Sequence, residues 1–254
     1  MDLKRHWYAA RQRPELSSTV ILFLLILLNI FLQPNFLSLR VINSNIATFT
    51  PLILASMAQA IVIIAGGLDL SIGSAISLIN CILATLMQDS PQSAVLAIGA
   101  AAAMVIVMGF VNGFAFGYLR LPPMIATFAT AAIWFGFALF LRPQPGGYIP
   151  RWFSEIYNFK VFLISMPLLL IIFAFLLWRF VTKRKLGKYL YAVGSNSEGA
   201  YASGINTALV KVSAYILAGV FVLLAAFSIT AQTASGDPYM GNAYTLTSIA
   251  TCLL

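Results

Sequence analysis

The residues whose chemistry stands out are few, and they sit in unusual company. Asp69 lies in Ala65-Gly66-Gly67-Leu68-Asp69-Leu70-Ser71-Ile72-Gly73, between two apolar runs, and is the only acidic residue placed at membrane depth or at its edge. A lone charge near a bilayer centre costs at least ~2.5–3.5 kcal/mol, so such a residue needs either a function or a set of partners. Gly66 and Gly67 permit a break in a helix. Asp69 beside Ser71 could then cap the helix that follows, its carboxylate on free backbone amides. Direct solute contact and proton coupling are the other roles open to it. Asn112 and Gly113 fall inside another apolar run, with Gly109 and Gly117 on the same helical face. Small residues at that spacing let helices approach closely, while an asparagine can bond across the contact or line a pathway. Thr127 and Thr130, just beyond Pro122-Pro123, can face an aqueous pathway or bond back to their own helix.

Several catalytic chemistries are excluded. His6 is the single histidine and lies in the basic N-terminal segment, so histidine-dependent nucleophilic or zinc chemistry has no residue within the membrane. An intramembrane aspartyl protease needs two facing aspartates, and Asp69 has no counterpart. No Gly-x-x-x-x-Gly-Lys-Ser/Thr loop occurs, so the chain is not expected to bind ATP itself. The glycines around Asp69 follow no strand and are no dinucleotide fingerprint. Cys81 and Cys252 lie in apolar runs with neither metal spacing nor a disulfide framework. No cofactor and no metal is called for.

The elements that must carry these residues follow from the apolar blocks. Hydrophobic residues make up 61% of the 254 positions and charged residues 9%, where a soluble domain carries about a quarter charged. The blocks are long and do not alternate, as a transmembrane barrel would require. In lipid they must be helices, which satisfy their own backbone groups. The expected fold is an all-α, polytopic membrane bundle forming a single domain over 1–254, with seven to eight spans. These run over Thr19–Leu32, Val41–Ala65, Ile72–Met87, Ala94–Tyr118, Met124–Leu141, Val161–Val181 and Leu209–Ala231, and an eighth begins near Tyr244. Pro51 should kink the second. The first block runs into Gln33-Pro34-Asn35-Phe36 rather than a small-residue cleavage site, so it reads as a retained span.

The net charge of +8 is distributed as membrane topology demands rather than as a nucleic-acid surface. With the N-terminus in the cytoplasm, eleven Lys and Arg fall inside and only Arg40, Arg142, Arg151 and Lys160 outside, in keeping with the positive-inside rule. The polar stretch 182–208 then lies inside. It is longer than a connector needs, and Gly187, Gly194, Gly199 and Gly204 punctuate short helix-capable pieces. A pair of short helices that dock another protein is the sharper expectation, a solvated basic loop the plainer one.

Three segments, in order, resemble the permease family of ribose-type sugar ABC importers, which also serves autoinducer-2 and other small polar solutes. Gly66-Gly67-Leu68-Asp69-Leu70-Ser71-Ile72-Gly73 is similar to the family's Gly-Gly-Ile-Asp-Leu-Ser-Val-Gly run. Gly109-Phe110-Val111-Asn112-Gly113 with Leu121-Pro122-Pro123-Met124-Ile125-Ala126-Thr127 resembles its Asn-Gly…Pro-Pro-Phe-Ile-x-Thr stretch. Leu186-Gly187-Lys188 through Asn196, then Ala200-Tyr201-Ala202-Ser203-Gly204-Ile205-Asn206, resembles its cytoplasmic segment. Lys188, Ser195 and Tyr201 depart from the commoner residues there.

The resemblance implies a permease subunit of the bacterial cytoplasmic (inner) membrane that is not itself an enzyme. Its implied partners are a separate ATPase subunit, a second permease chain, identical or homologous, and an extracytoplasmic solute-binding protein, within the lipid bilayer and without nucleic acid. Gly187, Gly194, Asn196, Ala200 and Gly204 would belong to the ATPase-coupling segment. Gly66, Gly67, Asp69, Ser71, Asn112, Thr127 and Thr130 would serve the translocation pathway or the helix break. Family members continue past Tyr244-Thr245-Leu246-Thr247-Ser248-Ile249-Ala250 into a glycine-rich segment and further spans, so C-terminal spans are expected to be missing here. The competing functions are an ion-coupled secondary transporter and a non-transporting membrane scaffold.

Overall fold

A computed structural model describes residues 14–33, 35–161 and 164–253; the basic N-terminal residues Lys4, Arg5, His6, Arg11 and Arg13 lie outside them. Eleven helices and one short hairpin make up the described residues. In chain order they are α1 (Pro14–Leu32), α2 (Leu39–Ile64), α3 (Ile72–Leu86), α4 (Pro91–Gly117), α5 (Pro123–Leu141), α6 (Arg151–Asn158), β1 (Lys160–Val161), β2 (Ile164–Ser165), α7 (Met166–Lys183), α8 (Lys185–Ser195), α9 (Ser197–Ala202), α10 (Thr207–Thr233) and α11 (Asn242–Leu253). Five of them, α2, α4, α5, α7 and α10, are long and apolar enough to cross a membrane, and Ser18–Leu32 of α1 and α3 are shorter apolar helices. Seven of the expected blocks match a helix to within a few residues. The sixth does not begin at Val161: Lys160 pairs with Ser165 and Val161 with Ile164 in an antiparallel hairpin, and the helix starts only at Met166. Pro167 in its first turn supplies the start signal, since proline fits there without losing a helix bond.

The chain is arranged around α3. Every residue from Ile72 to Ala84 is buried, and α4, α5, α10 and α11 all pack against this one helix. At about 1.5 Å per residue its fifteen residues span only ~22 Å, short of the hydrocarbon layer. Protein rather than lipid covers it, so its ends can be met by irregular backbone that a lipid-facing helix could not tolerate. The segment after α10 uses this freedom. It turns at Ala234 in the left-handed region (φ 49°) and runs back along α3. There the Asp237 amide donates to Asn80 Oδ1 (2.7 Å), the Gly241 amide to Ser77 Oγ (2.8 Å) and the Gly73 amide to Thr245 Oγ1 (3.2 Å). Gly73 and Gly241 meet backbone to backbone: a Cβ on Gly241 would stand 1.9 Å from the Gly73 carbonyl oxygen.

The closest long-helix pair is α4 with α10. Gly109, Gly113 and Gly117, spaced four apart, let α10 lie directly on the α4 backbone. A Cβ on them would fall 2.7 Å from Ile216 Cα, 2.5 Å from Val212 Cα and 2.7 Å from the Ala208 carbonyl oxygen respectively. The small-residue face anticipated in the sequence is thus a packing seam, the arrangement that compensates in lipid for the lack of a hydrophobic force between helices. Gly99 and Gly136, on the exposed faces of α4 and α5, meet nothing within 4 Å.

Gly113→Leu should therefore destabilise the detergent-solubilised chain by at least about 2 kcal/mol through overpacking. Gly136→Ala should leave it unchanged or raise stability by up to about 1 kcal/mol through helix propensity. Paired thermal-denaturation curves of the two variants check this, and equal effects would count against the seam.

Candidate functional site

The interruption between α2 and α3 follows directly from its residues. Gly66 adopts φ +80°, a conformation that side chains disfavour, and ends α2 by donating to the Ile63 carbonyl (2.9 Å). The stretch Gly67 to Ser71 then lacks a helical ladder, and side chains from three elements bond its backbone groups. Tyr215 of α10 donates to the Leu68 carbonyl (3.2 Å). Thr127 of α5 accepts from the Leu70 amide (3.0 Å) while bonding back to the Pro123 carbonyl of its own helix (2.8 Å). Gln59 of α2, with its carboxamide oriented to satisfy both contacts, donates to the Asp69 carbonyl (3.0 Å) and accepts from the Asp69 amide (3.3 Å).

Asp69 itself folds its carboxylate onto the start of α3. Its Oδ1 accepts from the Ser71 amide (2.7 Å) and the Ser71 hydroxyl (2.6 Å). Asn112 of α4 donates to Ser71 Oγ (2.8 Å) and, at 3.5 Å, to Asp69 Oδ2. The chain of bonds ends on α5, where Thr130 donates to Asn112 Oδ1 (2.7 Å). Asp69, Ser71, Asn112, Thr127 and Thr130 are all buried, and Gln59 completely so. The structure thus brings together Gly66, Gly67, Asp69, Ser71, Asn112, Thr127 and Thr130 around one break.

The room beside this network is small. A cavity of about 20 Å³ lies between Asp69, Ser71, Asn112, Gly109, Tyr215 and Gly219, which suits one water molecule at most. A far larger cavity, of about 390 Å³, lies toward α6, α7 and α10, but Trp152, Phe153, Leu170, Phe173 and Phe227 make its lining apolar. Among the described residues no cluster of His, Cys, Asp or Glu could hold a metal ion.

The second set of expected residues divides. Gly194, near the end of α8, sits on the C-terminus of α2: a Cβ there would stand 1.8 Å from the Ile64 carbonyl oxygen and 3.2 Å from the Gly66 amide nitrogen. Gly187 packs on Thr182 and Val181 where α7 passes into α8. Asn196 caps α9, accepting from the Gly199 amide (2.8 Å), and Ala200 is buried beneath α9. Gly204 ends that helix at φ +83° with open space around it. Of these five, Gly194 alone meets the break. The 182–208 stretch is the pair of short helices expected, α8 and α9, not a featureless loop.

The sequence reading passed over Gln59, Asn80, Tyr215 and Gln232, and took Tyr157 only as an aromatic suited to the membrane interface, where the structure buries it. Asn80 Nδ2 donates to Thr230 Oγ1 (2.8 Å) and to the Ser235 carbonyl (2.9 Å), anchoring the returning segment. Pro51 lies inside an unbroken α2 and has no amide for the Ala47 carbonyl one turn earlier. That carbonyl instead accepts from the Tyr157 hydroxyl (3.1 Å) and from Gln232 Nε2 (3.0 Å). At the end of α3 remote from the break, Arg142 donates to Thr85 Oγ1 (3.1 Å) and the Ala84 carbonyl (3.0 Å), a cation on the negative end of the helix. Nearby Tyr148 donates to Asp89, a bond that raises the phenol's pKa above its ordinary value. A signal for several of these existed: an amide side chain inside an apolar block is costly unless it has a partner.

With the geometry in place, the relatives are informative. The family model described as branched-chain amino acid transport system / permease component matches residues 41–254. The galactose/methyl galactoside import permease protein of Haemophilus influenzae is 32% identical over 268 residues, covering 94% of this chain and 77% of that protein. The ribose import permease protein of Bacillus subtilis is 31% identical over 237 residues (92% and 73%), and the autoinducer 2 import system permease protein of Escherichia coli O157:H7 is 26% identical over 250 residues (94% and 70%). No solved structure matches significantly. The match covers the break, the buttress around it and the α8–α9 pair alike, and the chain belongs to this family of multi-pass membrane permease components of transport systems.

Proposed function

We propose that the chain is one membrane half of an ATP-driven importer, carrying a small neutral polar solute of the sugar class. An extracytoplasmic binding protein delivers the solute, and a separate ATPase subunit docks on α8 and α9. The observation that carries this reading is the α8–α9 pair itself. It is an exposed two-helix platform, basic along α8 at Lys185 and Lys188, seated by Gly194 on the end of a spanning helix. The relatives named for galactose, ribose and autoinducer 2 import support the solute class. So do interior polar groups that are almost all Asn, Gln, Ser and Thr, which suit hydroxyl-bearing cargo better than charged cargo.

The small cavity at the break supports a second permease chain. A space for one water cannot pass a sugar ring, and the larger cavity offers such a ring little polar surface, since the Tyr157 and Ser228 hydroxyls in its lining bond to each other. The pathway accordingly runs between two permease chains rather than through the middle of one. Asp69, Ser71, Asn112, Thr127 and Thr130 then act by holding the break in shape. Seven to eight spans with the N-terminus inside remain the favoured topology. In it α8, α9, Arg120 and Lys211 face the cytoplasm, while Arg142, Arg151 and Lys160 lie outside.

Ion-coupled transport is the second reading, since Asp69 is a buried carboxylate. The bonds made by Asp69 separate the two. An asparagine can keep the Oδ1 contacts to Ser71, so Asp69→Asn should retain most of the uptake into intact cells, whereas Asp69→Leu should lose at least about tenfold by stranding the Ser71 amide and hydroxyl. Uptake that collapses in Asp69→Asn together with its proton dependence would favour ion coupling instead.

Docking has its own test. The intact chain, purified in mild detergent from cells that also produce the ATPase subunit, should bring that subunit with it, and a chain that comes down alone would overturn the importer reading. For orientation, a membrane-impermeant thiol reagent applied to sealed cells should label Glu155→Cys and spare Lys188→Cys. The reverse pattern would invert the topology.

A further inference from the structure

The α8–α9 pair and the Asp69 network are far apart in sequence, yet one contact joins them. Gly194 has its α-carbon 3.5 Å from where a Cβ on Gly66 would lie, and its own Cβ position is occupied by the Ile64 carbonyl oxygen at 1.8 Å. Ile64 is the last residue of α2, and Gly66 is the residue at which the chain leaves the helix. From there the next five residues reach Ser71 with no helical ladder, and all but Gly67 are held by a side chain from α2, α4, α5 or α10. α8 therefore presses, backbone on backbone, on the hinge of a segment whose bonds extend into three further spanning helices.

We propose that Gly194 is the positioning residue through which displacement of the α8–α9 platform is passed to the 65–71 break, and so to α4, α5 and α10. The inference rests on the reading of α8 and α9 as the ATPase-docking platform. The physical argument is stiffness. Side chains at an interface can change rotamer and absorb a movement of an ångström, but two backbones in van der Waals contact cannot, so a shift of α8 must move Ile64 and Gly66 or separate from them. Receiving that shift is a segment held by side-chain bonds that can be exchanged one for another. The other glycines of the platform do not qualify. Gly204 meets nothing within 4 Å, and Gly187 meets only the adjoining turn of α7 and α8.

The test is hydrogen–deuterium exchange on the assembled importer, permease with ATPase subunit, with and without a non-hydrolysable ATP analogue and magnesium. In the unaltered complex the nucleotide should change the exchange rates of the Leu70 and Ser71 amides, which are bonded to Thr127 and Asp69, by at least about tenfold, the size of an ordinary coupling between sites. An unchanged rate there, with the α8–α9 amides responding, overturns the proposal without any variant. In Gly194→Ala the ATPase subunit should still co-purify and the α8–α9 amides should still respond, while Leu70 and Ser71 no longer do. Gly99→Ala, on an exposed helix face with nothing within 4 Å, should leave their response in place. A normal Leu70 and Ser71 response in Gly194→Ala sinks the transmission role alone. Failure of the unaltered chain to bind the ATPase subunit sinks the docking reading, and this inference with it.

Discussion

The main departures from regular helix among the described residues are met by hydrogen bonds from neighbouring elements, because the surrounding lipid can supply none. The constraint is felt most sharply at three places: the break between α2 and α3, the proline in α2, and the backbone that returns along α3 after α10. At each, a carbonyl or amide that lost its helical partner is bonded by a side chain from elsewhere in the chain. At the break the partners are Tyr215, Thr127 and Gln59. For the proline they are Tyr157 and Gln232. Along the returning segment Asn80 serves both an amide and a carbonyl. Other polar residues of the helices, among them Thr48, Thr85 and Ser213, bond back to a carbonyl of their own helix.

Buried Asp69 fits the same logic. An ionisable residue in such a place invites a role in binding or proton movement, yet its best bonds go two residues along its own chain, to the Ser71 amide and hydroxyl. The arrangement closes the turn that starts α3 and offers Asn112 a second anchor. This turn lies five residues along the chain from Gly66, where Gly194 of α8 meets the end of α2.

Much of this was legible in the sequence, and for identifiable reasons. Long apolar blocks have one solution in lipid, so the helices stood out, and Gly66-Gly67 marked the interruption because glycine alone adopts φ +80° cheaply. The four-residue spacing of Gly109, Gly113 and Gly117 announced a close helix contact. Not legible was anything that required knowing which elements are neighbours. Tyr215 lies far from Asp69 in sequence, Gln59 only ten residues before it but across the break, and both read simply as members of apolar runs. The meeting of Gly194 with Ile64 brings together residues that share no motif. The strand pairing of Lys160 with Ser165 and Val161 with Ile164 was hidden because the sequence Val161-Phe162-Leu163-Ile164 is as apolar as the helix that follows, and hydrophobicity alone does not distinguish a short strand from a helix start.

The proline of α2 has a consequence for how this chain can drift over time. While Pro51 is present, the Ala47 oxygen is free to hold Tyr157 and Gln232, and thereby tie the short helix α6 and the helix α10 to α2. A residue with an amide at position 51 would claim that oxygen for itself and leave the buried Tyr157 hydroxyl and the more exposed Gln232 amide competing for what remains. The three positions consequently form one heritable unit: across descendants of this sequence, loss of the proline should travel with loss of the tyrosine and the glutamine, although no two of the three are adjacent in the chain.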